Sequence, residues 1–385
     1  MKRKVCVVIT ARPSYARIKT ALEAIRDHRE LELQVVVAAS ALLDRYGNAV
    51  KIIENEGFKI DRTVYMIVEG ENLVTSAKST GFGLAELATV FNDLKPDMVV
   101  TIADRYETIA TSIAAAYMNI PLVHVQGGEV TGSIDEKTRH ANTKLADIHL
   151  VSCANARVRV ERMGEKPDRV FVTGCPSIDL ARIALESEPR DIAGVIAQYS
   201  GVGAPVDVTK PYLVVMQHPV TTEYEHARRH AMATLEAVRE TGYPVLWFWP
   251  NVDAGSDGTS KAIRTARETM SMSNVHFYKN MGPLDFLSLL INSRGIVGNS
   301  SVAIRECAYL GVPAVNIGTR QQGRDRGRNI TDAPYDRNEI GAAIEHVWTM
   351  KERPRDLIYG DGHAGKRIAN VLATVGLSIE KTLTY

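Results

Sequence analysis

The stretch MVVTIADRYETIATSIAAAYMNIPLVHV, residues 98 to 125, decides the class of fold. It opens on an apolar run rich in β-branched residues, continues through a longer segment, and ends on a second short apolar run. Parallel strands joined by crossover helices produce this pattern, because such strands are buried on both faces. The stretch therefore predicts two parallel β-strands joined by an α-helix.

The same alternation continues in both directions along the chain. In the first half it predicts strands at residues 5–10, 33–39, 64–68, 98–103, 122–125, 148–153 and 170–174. After a looser segment with glycine and proline at residues 186–210, further strands are expected in YLVVMQ, PVLWFW, VHFY, GIVGN and AVNIG. The fold class is therefore α/β, with two Rossmann-like domains that each carry a doubly wound sheet.

The second series of strands also predicts the domain organisation. We expect an N-terminal domain over residues 1–188 and a C-terminal domain over residues 189–363, with the linker near residue 190. By analogy with other two-domain architectures, a C-terminal helix within residues 364–385 is expected to join the first domain. Two such halves suggest a ligand in a cleft, outside the carboxyl ends of the strands.

The composition excludes several classes of function. The 385 residues carry a net charge of +1, so nothing favours nucleic acid or an anionic membrane surface, and we expect neither as a partner. The four cysteines are widely separated and lack metal-binding spacing, which indicates buried thiols, a cytoplasmic protein and no metal. No apolar run is long enough to span a membrane. A small ligand is the favoured partner.

The segment RGIVGNSSVAIRECAYLGVP places two serines before a predicted helix that begins near Val302. Backbone N–H groups at a helix start favour a phosphate, and the hydroxyls of Ser300 and Ser301 are additional donors. The carboxylate of Glu306, further along the same predicted helix, is suited to accept hydrogen bonds from two ribose hydroxyls. A plain helix cap by Asn299 or Ser300, and a solvated surface glutamate, are the structural alternatives.

A glycine-spaced loop after the last of these strands carries arginines at positions 320, 324, 326 and 328. Guanidinium groups hold phosphate in two-point fashion, so the loop is a candidate diphosphate clamp in which at most two arginines touch the ligand. A solvated charged loop is the alternative. Three further candidates for ligand contact lie at the ends of strands in this half: His218, Asn251 and Asp253. The alternatives are a structural histidine for His218 and an ordinary turn for Asn251 and Asp253.

Three charged residues of the first half follow strands, with Arg12 in a loop, Arg17 in a first helical turn and Asp104 at a strand end. Arg12 and Arg17, in TARPSYARIK, are candidate phosphate ligands, with an exposed helix cation as the alternative for Arg17. No GxGxxG pattern follows the first strand, which argues against a dinucleotide cofactor. Asp104 ends another strand, either as a helix cap or as an acid or base that faces the ligand.

The stretch HVQGGEVTGSIDEKTRH, residues 124 to 140, concentrates charged residues after a strand. Its two adjacent glycines permit a sharp turn and a close approach of the backbone to a ligand. Asp135 and Arg139 stand about one helical turn apart and share a face. Carboxylates then converge from two strand ends and are expected to supply general acid and base catalysis at a sugar ring. These carboxylates are Asp104, Glu129 and Asp135.

Six motifs taken together resemble the UDP-N-acetylglucosamine 2-epimerases, in particular the hydrolysing branch of the sialic and legionaminic acid type. They are ADRYE, HVQGGEVTGSIDEKTRH, QHP, PNVDAGS, GNSSVAIRE and GTRQQGR, and the resemblance extends from the first strand to about residue 330. It implies the GT-B fold, in which two Rossmann-like domains face each other across a cleft. It also implies a UDP-sugar substrate, no cofactor, and a homodimer or homotetramer.

The resemblance further implies the reaction. The C2 proton is removed as UDP leaves anti to it, which produces a 2-acetamidoglucal, and water then adds to yield free N-acetylmannosamine. This product feeds the synthesis of nonulosonic acids and other surface polysaccharides. The sugar is expected in the first domain and UDP in the second.

The resemblance assigns roles to individual residues. The matches in the sugar site are Arg12, Arg17, Asp104, Asp135 and Arg139. The matches on the nucleotide side are Ser300, Ser301, Glu306 and Arg320, with His218, Asn251 and Asp253 nearby.

Two positions depart from the family pattern. The residue before the double glycine is often a catalytic glutamate in the family, whereas here it is Gln126. A glutamine cannot exchange a proton, so we expect Gln126 to bind substrate while Asp104, Glu129 or Asp135 carries the proton. In the first loop, ARPSY replaces the Arg-Ala-Asp-Tyr that is common in the hydrolysing branch, and Arg17 stands where lysine is common.

Four alternatives remain open at this point. The same chemistry on a UDP-2,4-diacetamido-2,4,6-trideoxyhexose changes only the sugar. A non-hydrolysing epimerase returns UDP to the sugar. A GT-B glycosyltransferase uses the same UDP half-site but requires an acceptor, and a UDP-sugar sensor binds ligand without turnover.

Overall fold

The computed structural model describes residues 2–44, 47–70, 72–131, 135–250 and 255–384. The chain divides into two compact units. Unit 1 comprises residues 1–129, 134–179 and 359–385, and unit 2 comprises residues 130–133 and 180–358. Each unit is built around one sheet of seven strands, so the predicted α/β class with two Rossmann-like sheets is confirmed.

The sheet of unit 1 is parallel throughout, with the order β3-β2-β1-β4-β5-β6-β7. The strand order reverses between β1 and β4, which is the position where doubly wound sheets bind ligands. Its strands are β1 (Arg3–Ile9), β2 (Leu31–Ala38), β3 (Arg62–Val64), β4 (Met98–Ile102), β5 (Leu122–Val125), β6 (Ile148–Val151) and β7 (Val170–Val172).

Helices cover both faces of this sheet, and the chain passes from unit 1 to unit 2 within α8. The helix α16 returns to unit 1 and packs against α2. The helices are α1 (Arg12–Ala16), α2 (Lys19–Asp27), α3 (Ala49–Asn55), α4 (Leu73–Leu94), α5 (Thr108–Tyr117), α6 (Asp135–Leu145), α7 (Ala154–Arg162), α8 (Pro176–Glu186) and α16 (Ala364–Thr374).

The central strand β1 shows why these residues form a doubly covered sheet. Val5, Val7 and Ile9 point into a core shared with α2 and α16, while Cys6 and Val8 point into a second core on the opposite face. Side chains of a strand alternate between the faces, so a strand covered on both sides must be apolar at every position. This explains the continuous apolar runs in the sequence.

Unit 2 repeats the arrangement with the order β14-β13-β12-β9-β10-β11-β8, in which β8 alone pairs antiparallel. The order reverses between β9 and β12, which defines a second candidate ligand position. The strands are β8 (Gly201–Gly203), β9 (Leu213–Met216), β10 (Val245–Phe248), β11 (Val275–Tyr278), β12 (Gly295–Gly298), β13 (Ala314–Ile317) and β14 (Ile330–Ala333).

The helices of unit 2 flank this sheet. They are α9 (Ile192–Ala197), α10 (Ala227–Thr241), α11 (Ser256–Thr269), α12 (Pro283–Asn292), α13 (Ser301–Ile304), α14 (Glu306–Leu310) and α15 (Arg337–Thr349). No helix in the described ranges is long and apolar enough to cross a membrane.

The structure differs from the sequence-based expectations at four places. The strand expected at residues 64–68 ends at Val64. The expected loose segment contains α9 and the strand β8, whose glycine-rich, exposed sequence carries no strand pattern. The strand β14 was missed because its sequence, ITDA, is too short and polar. The helix expected after Ser300 is two short helices, because Arg305 has φ −96° and ψ −71° and interrupts it.

Candidate active site

Three charged side chains meet at the position where the strand order of unit 1 reverses. Asp104 follows β4 and is 7 % exposed, and its carboxylate binds the guanidinium of Arg139 from α6. The guanidinium of Arg17, which follows α1, lies 3.9 Å from the other carboxylate oxygen. Asp104 does not cap a helix, since the residue that precedes α5 is Glu107. The geometry therefore places a carboxylate between two cations at the carboxyl edge of the sheet.

The buried guanidinium of Arg139 joins two strand ends. Besides Asp104, it donates to the backbone oxygen of Glu129 at 2.9 Å and to the carboxylate of Glu136 at 2.8 Å. Burial lowers the pKa of Arg139, but the charges of Asp104 and Glu129 outweigh it, so the pKa is raised. Arg139 is thus a permanent cation at 1 % exposure, and it holds the turn after β5 against the turn after β4.

Glu129 and Asp135, the other two predicted carboxylates, differ in their surroundings. Glu129 is 1 % exposed, and its Oε1 accepts a hydrogen bond from the hydroxyl of Ser152 at 2.8 Å. Asp135 is partly exposed and is the first residue of α6, on the same helix as Arg139. Together with Asp104, these residues belong to the turns after β4 and β5 and to the start of α6.

The double glycine after β5 packs against protein. At Gly127, a Cβ atom would lie 2.9 Å from Nδ1 of His124 and 2.9 Å from the hydroxyl of Thr143. Gly128 has φ +74°, and a Cβ there would lie 2.3 Å from the backbone oxygen of Ala156. Both positions need glycine because the turn is pressed onto neighbouring elements. The expected close approach of this turn to a ligand stays a prediction.

Gln126 is buried beside a thiol. It is 1 % exposed, has φ +68°, and donates from Nε2 to the sulfur of Cys175 at 2.9 Å. Its Oε1 has no hydrogen-bond partner among the described residues. Sequence reasoning missed Cys175, since a lone cysteine far along the chain carries no signal of such a contact.

The second reversal point, in unit 2, is organised by Asn299. Its side chain accepts from the backbone N–H of His218 at 2.8 Å and donates to the backbone oxygen of His218 at 2.8 Å. Its own backbone oxygen accepts from Arg320 at 3.2 Å and from Gln321 at 2.8 Å. The ends of β9, β12 and β13 are therefore tied together by one buried amide. The sequence predicted Asn299 only as a possible helix cap.

The serines and the glutamate of the GNSSVAIRE motif lie directly after β12. Ser300 caps α13, because its hydroxyl accepts from the N–H of Val302 at 3.4 Å. Ser301 is the first residue of α13 and is partly exposed. Glu306 is 9 % exposed, and its Oε2 is buried with no hydrogen-bond partner within the described ranges. Glu306 begins α14. The expectation that Glu306 shares one continuous helix with the serines was therefore wrong.

The four loop arginines differ in their contacts, and their predicted role as a diphosphate clamp stays a prediction. Arg326 makes two contacts of 2.6 Å with the carboxylate of Asp332, and Arg328 is exposed. Arg324 donates to the backbone oxygen of Val130, which belongs to the same unit. Arg320 donates to the backbone oxygen of Asn299 at the reversal point. Asn251 and Asp253 lie outside the described residues.

The structure accordingly brings the predicted residues into two groups, one in each unit. Asp104, Arg17, Arg139 and Glu129 come together in unit 1. His218 and Arg320 come together in unit 2 around Asn299. No group of three or more His, Cys, Asp or Glu within the described ranges is arranged to hold a metal ion.

Two doubly wound sheets, each with charged residues at its reversal point, define an α/β protein of a class whose members bind ligands at the carboxyl edges of their strands. The particular family follows from comparison with known proteins. The model of the UDP-N-acetylglucosamine 2-epimerase family matches residues 23–373, and the chain belongs to this family of enzymes. The resemblance of its motifs is confirmed at that level.

Several relatives and solved structures are similar over almost the whole chain. The UDP-N,N'-diacetylbacillosamine 2-epimerase (hydrolyzing) of Legionella pneumophila is 29 % identical over 98 % of this chain and 97 % of its own. The GDP/UDP-N,N'-diacetylbacillosamine 2-epimerase (hydrolyzing) of Campylobacter jejuni is 28 % identical, over 90 % of this chain and 88 % of its own. The fold matches the UDP-GlcNAc 2-epimerase of Neisseria meningitidis bound to UDP-GlcNAc, with a TM-score of 0.79, 18 % identity and coverage of 96 % and 99 %.

Proposed function

We propose that this enzyme is a hydrolysing 2-epimerase that converts UDP-N-acetylglucosamine to N-acetylmannosamine and UDP. The observation that carries the proposal is the buried cluster at the reversal point of unit 1, where Arg139 joins Asp104 to the turn that carries Glu129. Epimerisation at C2 requires a base on one face of the sugar and an acid on the other. Carboxylates from two strand ends and the start of α6 supply such a set.

The chemistry assigned to this cluster has two steps. A carboxylate takes the C2 proton, the C–H electron pair forms the C1–C2 double bond, and UDP leaves with the C1–O pair. Water then adds its oxygen to C1, and a proton returns to C2 from the opposite face. We assign the proton transfers to Asp104, Glu129 and Asp135, with Arg12, Arg17, Gln126 and Arg139 as sugar or phosphate ligands.

Unit 2 is assigned to the nucleotide. The two serines after β12 and the arginine at the end of β13 supply donors for the phosphates. Glu306 is assigned to bind the ribose. Its buried Oε2 lacks a protein donor among the described residues, and ribose hydroxyls would supply the missing hydrogen bond. The complete proposed set on this side is His218, Asn251, Asp253, Ser300, Ser301, Glu306 and Arg320.

A second candidate substrate is UDP-N,N'-diacetylbacillosamine. The relatives of Legionella pneumophila and Campylobacter jejuni that are 29 % and 28 % identical carry this substrate in their names. The step at C2 is the same for both sugars, because the second acetamido group stands at C4, away from the reacting carbons. The two candidates therefore differ in recognition and share the mechanism.

The test incubates the protein in heavy water with each UDP-sugar in turn and follows the products by NMR. We expect UDP and a free 2-epimerised sugar to accumulate together, with deuterium at C2. A stable mixture of two UDP-sugars without UDP release indicates the non-hydrolysing reaction, and product without deuterium rules out C2 deprotonation. Turnover that requires an added acceptor supports a glycosyltransferase.

The nucleotide assignment has its own test. Ser301→Ala and Glu306→Ala should each weaken UDP binding by about 1–2 kcal/mol, the scale of a lost hydrogen bond to a charged or diol group. Isothermal titration with UDP measures the change. Unchanged affinity in both folded variants removes these residues from the nucleotide site.

A further inference from the structure

One buried carboxylate holds the C-terminal segment, residues 376–384, against unit 1. The side chain of Glu165 is 5 % exposed, and it accepts from Nζ of Lys381 at 2.6 Å and from Nζ of Lys144 at 2.6 Å. His149 of β6 donates its Nε2 to the same carboxylate at 3.0 Å. Lys144 lies on α6, the helix that carries Arg139, so Glu165 joins this helix to the end of the chain.

Lys381 also closes the C-terminal end of α6. Its ammonium donates to the backbone oxygens of Thr143, at 3.3 Å, and of Ala146. The last carbonyls of a helix have no partner within the helix and carry partial negative charge, so an ammonium stabilises them. The side chain of Lys381 is 26 % exposed, so it is partly covered by these partners. We call Lys381, Glu165 and Lys144 the α6 clamp.

The C-terminal segment is mostly exposed, and it also contacts unit 1 beside Gly164. The N–H of Thr384 donates to the backbone oxygen of Gly164 at 3.1 Å. Gly164 has φ +87°, and a Cβ there would lie 2.9 Å from Cδ2 of Leu383. The positive φ of Gly164 favours glycine at this position, whereas the exposed side chain of Leu383 could move away from an added Cβ.

The charges of the α6 clamp suit a permanent contact. Burial raises the pKa of Glu165, but hydrogen bonds from His149, Lys144 and Lys381 lower it to about 2. Burial lowers the pKa of His149, so its ring is neutral and donates from Nε2 near neutral pH. The side-chain nitrogens of Lys144 and Lys381 both meet this carboxylate, while burial lowers the pKa of Lys381.

The N-terminal end of α6 carries residues of the candidate active site, so the position of the helix affects that site. The helix has 11 residues, so its ends are about 16 Å apart, and a rod of this length turns as one body. Asp135 and Arg139 occupy the first turns, and Arg139 meets Asp104. A displacement at the C-terminal end of α6 is therefore transmitted to the carboxylates.

We propose that Lys381 and Glu165 are positioning residues for the epimerase reaction. The α6 clamp fixes the C-terminal end of α6 so that Asp135 and Arg139 keep their geometry toward Asp104. The inference rests on the proposed function for its catalytic consequence. It assigns to the last residues of the chain a role in turnover, although none of them touches the reacting atoms.

Three substitutions test the proposal. Lys381→Met removes the ammonium and keeps an apolar stem, Lys381→Arg restores donors, and Lys366→Met makes the same change at an exposed position of α16 as a control. We expect Lys381→Met to lower kcat about tenfold or more, since small misplacements of catalytic groups are costly. The dissociation constant for UDP should not change, because unit 2 is proposed to bind UDP. Lys381→Arg should recover most of the activity.

Two results overturn the proposal. In one, kcat of folded Lys381→Met equals that of the wild type. In the other, kcat and UDP affinity fall together, which indicates general destabilisation. If the wild type releases no UDP from any UDP-sugar, the proposed function fails, and hydrogen exchange then tests the α6 clamp alone. Amides of α6 should lose protection in Lys381→Met and regain it in Lys381→Arg, and unchanged protection refutes the α6 clamp.

Discussion

Gly128→Ala is expected to destabilise unit 1 strongly. The residue has φ +74°, and an added Cβ would lie 2.3 Å from the backbone oxygen of Ala156 and 2.8 Å from Cγ2 of Val160. The left-handed conformation costs an alanine about 1–2 kcal/mol. Overlap in a packed region costs about 1–3 kcal/mol more, because backbone cannot rotate away as a side chain can. The free energy of unfolding should therefore fall by roughly 2–5 kcal/mol.

The same substitution should slow the reaction. Glu129 is the next residue, its Oε1 accepts from Ser152 at 2.8 Å, and its backbone oxygen accepts from Arg139 at 2.9 Å. Relief of the overlap at Gly128 must shift this turn, and both contacts shift with it. We expect kcat to fall about tenfold or more while UDP binding is retained.

Urea unfolding is the assay, with Gly81→Ala as the matched control. A Cβ at Gly81, within α4, meets nothing within 4 Å, so this variant should gain about 0.5–1 kcal/mol. Far-UV circular dichroism follows both units, whereas the three tryptophans, Trp247, Trp249 and Trp348, all lie in unit 2. Loss of stability should therefore appear first in the dichroism signal. If Gly128→Ala unfolds at the same urea concentration as the wild type, the close approach of the turn to α7 is refuted.

Three further predictions concern buried polar groups. Asp104→Asn should lower kcat about a hundredfold and leave UDP affinity unchanged. It should also destabilise unit 1, because Arg139, at 1 % exposure, loses its anion. Near wild-type turnover in steady-state assays contradicts the catalytic assignment of Asp104. Gln126→Glu buries a carboxyl group, and burial must raise the pKa of that group. The free energy of unfolding of this variant, relative to wild type, should therefore decline as pH rises from about 5 to 8. A difference in urea midpoints that stays constant over this range rules the prediction out. Burial lowers the pKa of His124 from 6.5 to about 3. The stability that neutral His124 contributes is therefore present above pH 6.5 and is lost as pH falls, by about 3 kcal/mol over two pH units. An imidazole NMR signal of His124 that titrates near pH 6 refutes this prediction.

Much of the fold follows from local pattern. A strand buried on both faces must be apolar at every position, so apolar runs such as residues 5–10 and 245–248 can be recognised as strands from the sequence. Elements at a sheet edge lack this constraint. The strand Gly201–Gly203 is exposed and glycine-rich, and the strand Ile330–Ala333 is partly polar, so neither carries the pattern. Pairing with a neighbouring strand, which no short sequence encodes, makes each of them a strand.

The sequence by itself determined which residue types stand at the strand ends, because a strand's end is marked where its apolar run stops. Tertiary structure alone decided which of them meet. The sequence predicts that Arg139 shares a helix face with Asp135 toward the ligand. Its burial and its contact with Asp104, 35 residues earlier, arise because β4 and β5 lie side by side and α6 follows β5. No sequence motif marks Lys381, yet it binds Glu165, 216 residues away. Such contacts depend on strand order and on the free energy of burying paired charges, which are properties of the whole chain.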